Sequence, residues 1–126
     1  MKVKQKNVGS VGNDQPIGPA YGAGWCKEVN DPARAYDPDK AKFHLKKSGI
    51  TSAELHVAEV GPGLTDMSLM LQRECAKVGL TLNLKKVPND GYWGAVWMKQ
   101  PMNVSNWNMR PSANIMMTLA YKQEAL

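Results

Sequence analysis

A tryptophan and an arginine lie three positions apart in the string "WNMRP", residues 107–111. Trp107 offers an apolar ring face, and Arg110 offers a charged fork that fits a carboxylate. These two side chains are the best candidates for binding a small molecule, and Asn108 is the next candidate. The alternative interpretation is an ordinary loop anchor beside a solvated charge. If the residues serve a ligand, Trp107 should be partly exposed with its ring flat to solvent, and Arg110 should lack an acidic partner.

Two further tryptophans, Trp93 and Trp97, are four positions apart, which on a helix places them on one face. Core packing is the simpler interpretation of this pair, and a stacking surface for a ligand is the alternative. Methionines also recur at helical spacing. For them, core packing is a simpler interpretation than soft-metal binding. The residues concerned are Met67, Met70, Met98, Met102, Met109, Met116 and Met117.

The residues that usually carry catalysis are scattered. His44 and His56 have no ligand-spaced Cys, His or carboxylate near them in the sequence, which predicts two surface histidines. Glu54 shares the polar face of a predicted strand with His56, but no candidate nucleophile accompanies them. The "GPG" at residues 61–63 lacks the Gly-Lys-Ser/Thr ending of a phosphate loop. We therefore predict no enzyme activity, no cofactor and no metal site.

The two cysteines, Cys26 and Cys75, match no zinc or redox spacing. Cys75 falls on the apolar face of a predicted helix, where a free thiol packs as a small hydrophobic side chain. Cys26 lies in a turn-rich segment. We predict that the two are not bridged, with a disulfide as the alternative.

The string "YDPDKAKFHLKKSGI" predicts a helix over residues 38–48, with Asp37 as its N-cap and Gly49 as its stop. Ala41 and Leu45 should face inward. A second helix is predicted in "GPGLTDMSLMLQRECAKVGL", from a cap at Thr65 to a stop at Gly79. Its inward face would hold Met67, Met70, Leu71, Cys75 and Val78.

Two strands are predicted from alternating apolar residues, which are typical of half-buried strands. The first has Ala53, Leu55 and Val57 on its inner side, and the second has Leu80, Leu82 and Leu84. A short helix opening at Asp90, a short strand in "MNVSNWNM" and a helix capped by Ser112 complete the pattern. Helices alternate with strands, and this order favours a layered α/β fold with parallel strands. Residues 1–36 are predicted to be a turn-rich arm, and residues 37–126 to be one α/β lobe.

The bulk composition suits one compact domain, since 43% of the 126 residues are hydrophobic. A net charge of +5 permits contact with nucleic acid or anionic membranes, but the lysines are spread along the chain. We therefore predict no nucleic-acid partner, and a basic nucleic-acid-binding domain is the less favoured alternative. No apolar run is long enough to span a membrane, and the first residues lack the apolar core of a secretory signal. The chain as given is expected to stay where it is made, in the cytoplasm.

Several strings together resemble the family 5 solute-binding proteins of bacterial ABC importers, the group of dipeptide, oligopeptide and nickel binders. They are "YDPDKAKFHLKKSGI", "AELHVAEVGPGLTDMSLMLQRECAKVGLTLNLKKVPNDGYWGAVWMK" and "NWNMRP". The resemblance runs from about Pro16 to Tyr121, and its specificity comes from the order and spacing of the pieces.

The resemblance implies part of the C-terminal lobe of a type II periplasmic solute-binding protein. In such proteins two α/β lobes close around a solute and deliver it to a membrane permease, in the periplasm or outside the cell. It implies no catalysed reaction. The N-terminal lobe and secretion signal are absent from this chain, so we expect a fragment. The alternative is an interaction module that forms homo-oligomers through the surface that the other lobe would cover.

One departure from the family pattern concerns the ligand. Peptide-binding relatives typically have Gly-Trp followed within a few residues by an aspartate that pairs with the peptide's amino terminus. Here Asn106 replaces the glycine, and Arg110 lies near the acidic position. An arginine repels an ammonium and attracts a carboxylate. We therefore expect an acidic, carboxylate-bearing or peptide-like solute.

Overall fold

The computed structural model describes residues 16–24 and 35–122, and these divide into two compact units. The first unit holds Asp37–Asn106. The second joins residues 16–24 and 35–36 to residues 107–122. The segment predicted to be one lobe is thus divided after Asn106. Much of the predicted arm, residues 1–15 and 25–34, lies outside the described residues.

The first unit is a small mixed α/β fold built on a two-stranded parallel sheet. The coarse fold class predicted from the sequence is thereby confirmed. β1 pairs with β2 from Ser52 opposite Thr81 to Val57 opposite Lys86. The elements in chain order are α1 (Pro38–Ser48), β1 (Ser52–Val57), α2 (Leu64–Val78), β2 (Thr81–Lys86) and α3 (Tyr92–Ala95).

Helix α1 begins and ends where its sequence predicts. The Asp37 carboxylate accepts a hydrogen bond from Lys40 N at 2.8 Å, and Gly49 ends the helix in the left-handed region at φ 71°. The inward face is only partly as predicted, because Leu45 is half-buried but Ala41 is exposed. α1 packs against α2 and buries none of its side chains fully.

The start of α2 differs from the prediction that Thr65 is its cap. The N-cap position is Gly63, whose φ of 78° needs a glycine, and its own side chain can accept nothing. The Glu59 carboxylate takes this role from outside the helix, accepting from Gly63 N at 2.6 Å and from Thr65 N at 2.9 Å. Hydrogen bonds from Thr65, side chain and backbone, lower the pKa of the Glu59 carboxyl. The predicted stop at Gly79 is confirmed.

This cap predicts a pH dependence of stability. The pKa of Glu59 in the folded chain lies below its ordinary value of 4.5, so its carboxylate stabilises the fold above that pH. The contribution is lost as the pH falls through the lowered pKa. We expect Glu59→Gln to narrow the difference in melting temperature between pH 7 and pH 3, measured by circular dichroism. The matched control, Asp90→Asn at an exposed position, should leave this difference as in wild type. An unchanged difference in Glu59→Gln would contradict the prediction.

The predicted inner faces of the strands form the main core. Leu55, Val57 and Leu82 are buried there, and four partly buried residues pack on them: Ala53, Cys75, Leu84 and Val104. Cys75 is a free thiol that faces inward, as predicted, and burial raises its pKa. Cys26 lies outside the described residues.

One of the predicted inward residues of α2, Leu71, does not follow the prediction, whereas Met67, Met70 and Val78 are half-buried. α2 buries Ser68 and directs Gln72 to the sheet, where its side-chain amide donates to Leu82 O at 2.6 Å. Leu71, one position away from Gln72, is therefore turned to solvent and is 43% exposed. The core interpretation is likewise wrong for four of the seven methionines named above. Met67, Met70 and Met116 are half-buried, while the exposed ones are Met98, Met102, Met109 and Met117.

His56 is buried, so the prediction of a surface histidine is wrong for it, although His44 is exposed. The cause is a segment that runs along the free edge of β1. His56 N donates to Met102 O and His56 O accepts from Val104 N, each at 3.1 Å. The short strand predicted in "MNVSNWNM" is reduced to this single bridge at Asn103. Both faces of β1 are covered near its C-terminal end.

A second core cluster begins at Ala58, directly after β1. It consists of Ala58, Tyr92 and Val96, with Val60 and Val87 packed against them. The short helix expected to open at Asp90 is α3, whose N-cap is Gly91. The Tyr92 hydroxyl donates to Val104 O and thereby holds the edge segment of the sheet. Burial raises the pKa of Tyr92.

The second unit contains a short 3-10 helix, Pro19–Gly24, and α4, Ala113–Tyr121. The predicted cap of α4 is confirmed, because Ser112 Oγ accepts from Ile115 N at 3.3 Å. α4 buries no residue fully. Among the described residues, no helix has the length and apolar character needed to cross a membrane.

Candidate functional site

Trp107, Asn108 and Arg110 lie in an irregular segment of the second unit, between Asn106 and α4. Trp107 and Arg110 are half-buried, whereas Asn108 is exposed. The segment has no helix or strand to fix its backbone. Pro111 adds one restriction, since a residue that precedes proline is disfavoured in helical conformation.

The structure brings Trp107 and Arg110 together. Arg110 Cζ lies 5.3 Å from the centroid of the Trp107 ring, a distance at which the cation is attracted to the electron-rich ring face. We expected the Trp107 ring to lie flat to solvent. Instead, the Arg110 guanidinium covers part of the ring.

The charge of Arg110 is not neutralised by a carboxylate in the described part of the chain. Its Nε is buried and has no hydrogen-bond partner there. Within the described residues, Arg110 therefore has no bidentate acidic partner. A buried guanidinium nitrogen without an acceptor is unfavourable, and an anionic ligand would relieve that cost.

Tyr21 belongs to the same site, and the sequence did not indicate it. Arg110 N donates to Tyr21 Oη at 2.9 Å, between residues 89 positions apart. Tyr21 is itself held by a turn, in which its N–H donates to Gly18 O at 3.1 Å. The surrounding "PIGPAYGAGW" indicates turns, but no periodicity connects it with residue 110. Only the folded chain reveals this contact.

A separate polar cluster lies on β1 and β2 in the first unit. His56 Nε2 is 3.3 Å from Glu54 Oε1, and Lys85 Nζ is 3.6 Å from the same oxygen. Such a carboxylate can orient an imidazole for acid–base chemistry. However, the His56 side chain is only 5% exposed, which closes it to a solute from solution. In the described residues no three His, Cys, Asp or Glu side chains are placed to hold a metal ion.

The tryptophan pair of the first unit, Trp93 and Trp97, forms an edge contact with ring centroids 5.7 Å apart. Trp93 is 49% exposed, so core packing is the wrong interpretation for this residue. The buried aromatic residue of the segment is its neighbour Tyr92, which is 1% exposed. α3 ends at Ala95, before Trp97, so the two tryptophans do not share one helix face.

Asn106 packs closely against the loop that follows β1. A Cβ added at Gly61 would lie 2.9 Å from Asn106 Cβ and 3.3 Å from Leu64 Cδ1. We expect Gly61→Ala to lower the free energy of unfolding by about 1–2 kcal/mol, because the loop must shift to relieve the overlap. Chemical denaturation followed by circular dichroism measures this change.

The matched control is Gly94→Ala in α3. A Cβ at Gly94 would have no atom within 4 Å. Alanine is the better helix former, so this variant should be neutral or more stable by about 0.5–1 kcal/mol. If both variants changed stability in the same direction, close packing at Gly61 would not be the cause.

Comparison of the chain with models of protein families, with curated proteins and with solved structures gives no match. A functional conclusion therefore depends on the residues of this chain. The feature with the clearest chemical meaning is the Trp107–Arg110 pair, with Tyr21 bound to its backbone.

Proposed function

We propose that this chain forms one side of the binding cleft of an ABC-importer solute-binding protein. Its solute is a small, carboxylate-bearing or peptide-like molecule. The lobe would be of type II, and the assembled protein would pass the solute to a membrane permease. Trp107 provides an apolar face, Arg110 binds the carboxylate, and the exposed Asn108 contributes an amide.

The observation that carries the proposal is the state of Arg110. It is half-buried and stacked on Trp107, with no carboxylate paired to it in the described residues. A merely structural arginine is usually satisfied by an acidic side chain or by carbonyl groups. A cation held ready beside an aromatic face suits a ligand with a negative end and an apolar body.

The resemblance to family 5 solute-binding proteins supports the same reading. The order of α1, β1, α2 and β2 follows the strings that carry the resemblance, and the strands are parallel. A cleft formed by two lobes encloses most of its ligand, and one side alone encloses much less. This chain alone should therefore bind its solute weakly, with a dissociation constant of about 1 mM or more.

Nuclear magnetic resonance can test this proposal on the full chain. The probes are N-acetyl-alanyl-alanine, with a carboxylate and no ammonium, and alanyl-alanine amide, with an ammonium and no carboxylate. We expect the first to shift the Trp107 indole N–H signal, identified by its absence in Trp107→Phe, and the second to leave it in place. The signal of Trp93, exposed in the other unit, is the control for general attraction of anions to the basic chain.

Two results would overturn the proposal. Equal responses to both probes, or equal shifts at Trp93 and Trp107, would show no carboxylate site at Arg110. Submicromolar affinity measured by calorimetry would contradict a half-cleft.

A second candidate function, self-association, is favoured by α4. This helix has no charged residue, and four of its apolar side chains are exposed by 39–61%: Ile115, Met117, Leu119 and Tyr121. Ile115 and Leu119 are four positions apart and share one face of the helix, and exposed apolar surface is a feature of interaction sites. Sedimentation equilibrium of wild type and Leu119→Glu tests it. A dimer that the charge disrupts would favour this function, and a monomer at high concentration would exclude it.

A further inference from the structure

We infer that Tyr21 is a positioning residue, which holds the backbone of Arg110 so that its guanidinium stays on the Trp107 ring. This rests on the proposed function for its biological meaning, but its geometry can be tested without a ligand. Tyr21 does not itself need to touch the solute.

The first step is the weak local support of the segment. Residues 104–111 contain no helix or strand, and the backbone N–H of Arg110 finds its acceptor in a tyrosine hydroxyl 89 positions away. Pro111 restricts the rotation of the Arg110 backbone, but it does not fix where Arg110 lies. The contact at 2.9 Å with Tyr21 Oη supplies that missing constraint.

The second step is that Tyr21 is itself held in place. The hydrogen bond from its N–H to Gly18 O closes a 3-10 turn, and Tyr21 is half-buried. Gly22 follows with a φ of 56°, a backbone conformation that residues other than glycine rarely adopt. The turn therefore restrains the backbone of Tyr21, from which the phenol hydroxyl reaches Arg110.

The third step concerns the side chain of Arg110. Its Nε has no hydrogen-bond partner in the described residues, so the stacking contact with Trp107 is what orients the guanidinium. Such a contact is weak when it is partly exposed. Long side chains lose rotamer entropy of similar size when they are fixed. Stacking alone therefore leaves the guanidinium poorly fixed, and a backbone held by Tyr21 reduces the freedom that must be lost.

The test is Tyr21→Phe, which removes only the hydroxyl group, in the full chain without ligand. Stacking shifts the Arg110 Hδ signals upfield of those of the exposed Arg73. We expect this ring-current shift to fall by at least half in Tyr21→Phe and to persist in Tyr121→Phe, which alters an exposed tyrosine of α4. An unchanged shift in Tyr21→Phe would overturn the inference.

A measurement on the wild type keeps the inference testable if Tyr21→Phe does not fold. The Arg110 amide hydrogen should exchange with solvent more slowly than its intrinsic rate, because the Tyr21 hydroxyl accepts it. Exchange at the intrinsic rate would show that this contact does not hold the backbone.

A titration with N-acetyl-alanyl-alanine then separates this inference from the proposed function. If both are right, Tyr21→Phe weakens binding about three- to tenfold, the range for one neutral hydrogen bond. If the wild type binds nothing while the ring-current shift still falls in Tyr21→Phe, the positioning role stands and the proposed function is wrong. Binding in wild type with the same affinity in Tyr21→Phe would overturn the inference alone.

Discussion

Replacing Tyr92 with alanine is expected to lower the free energy of unfolding of the first unit by about 3–5 kcal/mol. Tyr92 is 1% exposed and forms the centre of the cluster with Ala58 and Val96. The substitution leaves a cavity in that cluster and also removes the hydroxyl donor of Val104 O. Such a loss is a large part of the stability of a small domain. Urea denaturation followed by circular dichroism measures it.

Tyr92→Phe separates the two contributions. Phenylalanine fills the same space but leaves the Val104 carbonyl without its donor, at a cost of about 1–3 kcal/mol. The control is Trp93→Ala, because Trp93 is the larger neighbouring residue and is 49% exposed. It should cost about 1 kcal/mol or less. A loss in Trp93→Ala equal to that in Tyr92→Ala would place the core of this segment at the wrong residue.

The sequence favoured Trp93 as a core residue, but its neighbour Tyr92 is the buried one. Structural features that depend on residues close together in the chain were predicted well. Asp37 and Gly49 mark the two ends of α1, and Ser112 caps α4. The backbone groups with which these caps form hydrogen bonds lie within four positions in the chain. The alternation in β1 and β2 predicted their buried apolar residues, because successive side chains of a strand point to opposite faces.

Predictions that depended on distant packing were less successful. His56 lies on the polar side of the alternation, yet it is buried, and the segment at Asn103 pairs with the edge of β1 beside it. The alternation describes a strand with one covered face, and it contains no information about a later segment. The N-terminus of α2 is similar, since its cap comes from Glu59 and not from Thr65.

In the candidate site, too, the proximity of residues that are near in the chain was predicted, and the contact between distant residues was not. The spacing of Trp107 and Arg110 was sufficient to bring them together, because three positions in an irregular segment place two long side chains within reach. It did not predict that they would stack on each other. Tyr21 could not be predicted at all, since a hydrogen bond across 89 positions leaves no periodic trace in the sequence.

The last prediction concerns Arg110 itself. Arg110→Ala should weaken the binding of N-acetyl-alanyl-alanine by about 1.5–3 kcal/mol, the range for hydrogen bonds to charged groups. This corresponds to a factor of about ten to more than one hundred in affinity. Arg110→Lys should fall in between, because an ammonium keeps the charge but lacks the planar fork that stacks on Trp107 and binds a carboxylate at two points.

Weak wild-type binding does not prevent this measurement. Far below saturation, the shift of the Trp107 indole signal rises in proportion to ligand concentration, with a slope inversely proportional to the dissociation constant. We expect that slope to fall at least tenfold in Arg110→Ala and to stay at the wild-type value in Arg73→Ala, which removes an exposed arginine of α2. Retained amide signals of α4 would show that the second unit is folded. An unchanged slope in Arg110→Ala would make Arg110 a structural residue and remove the basis for a carboxylate-binding cleft.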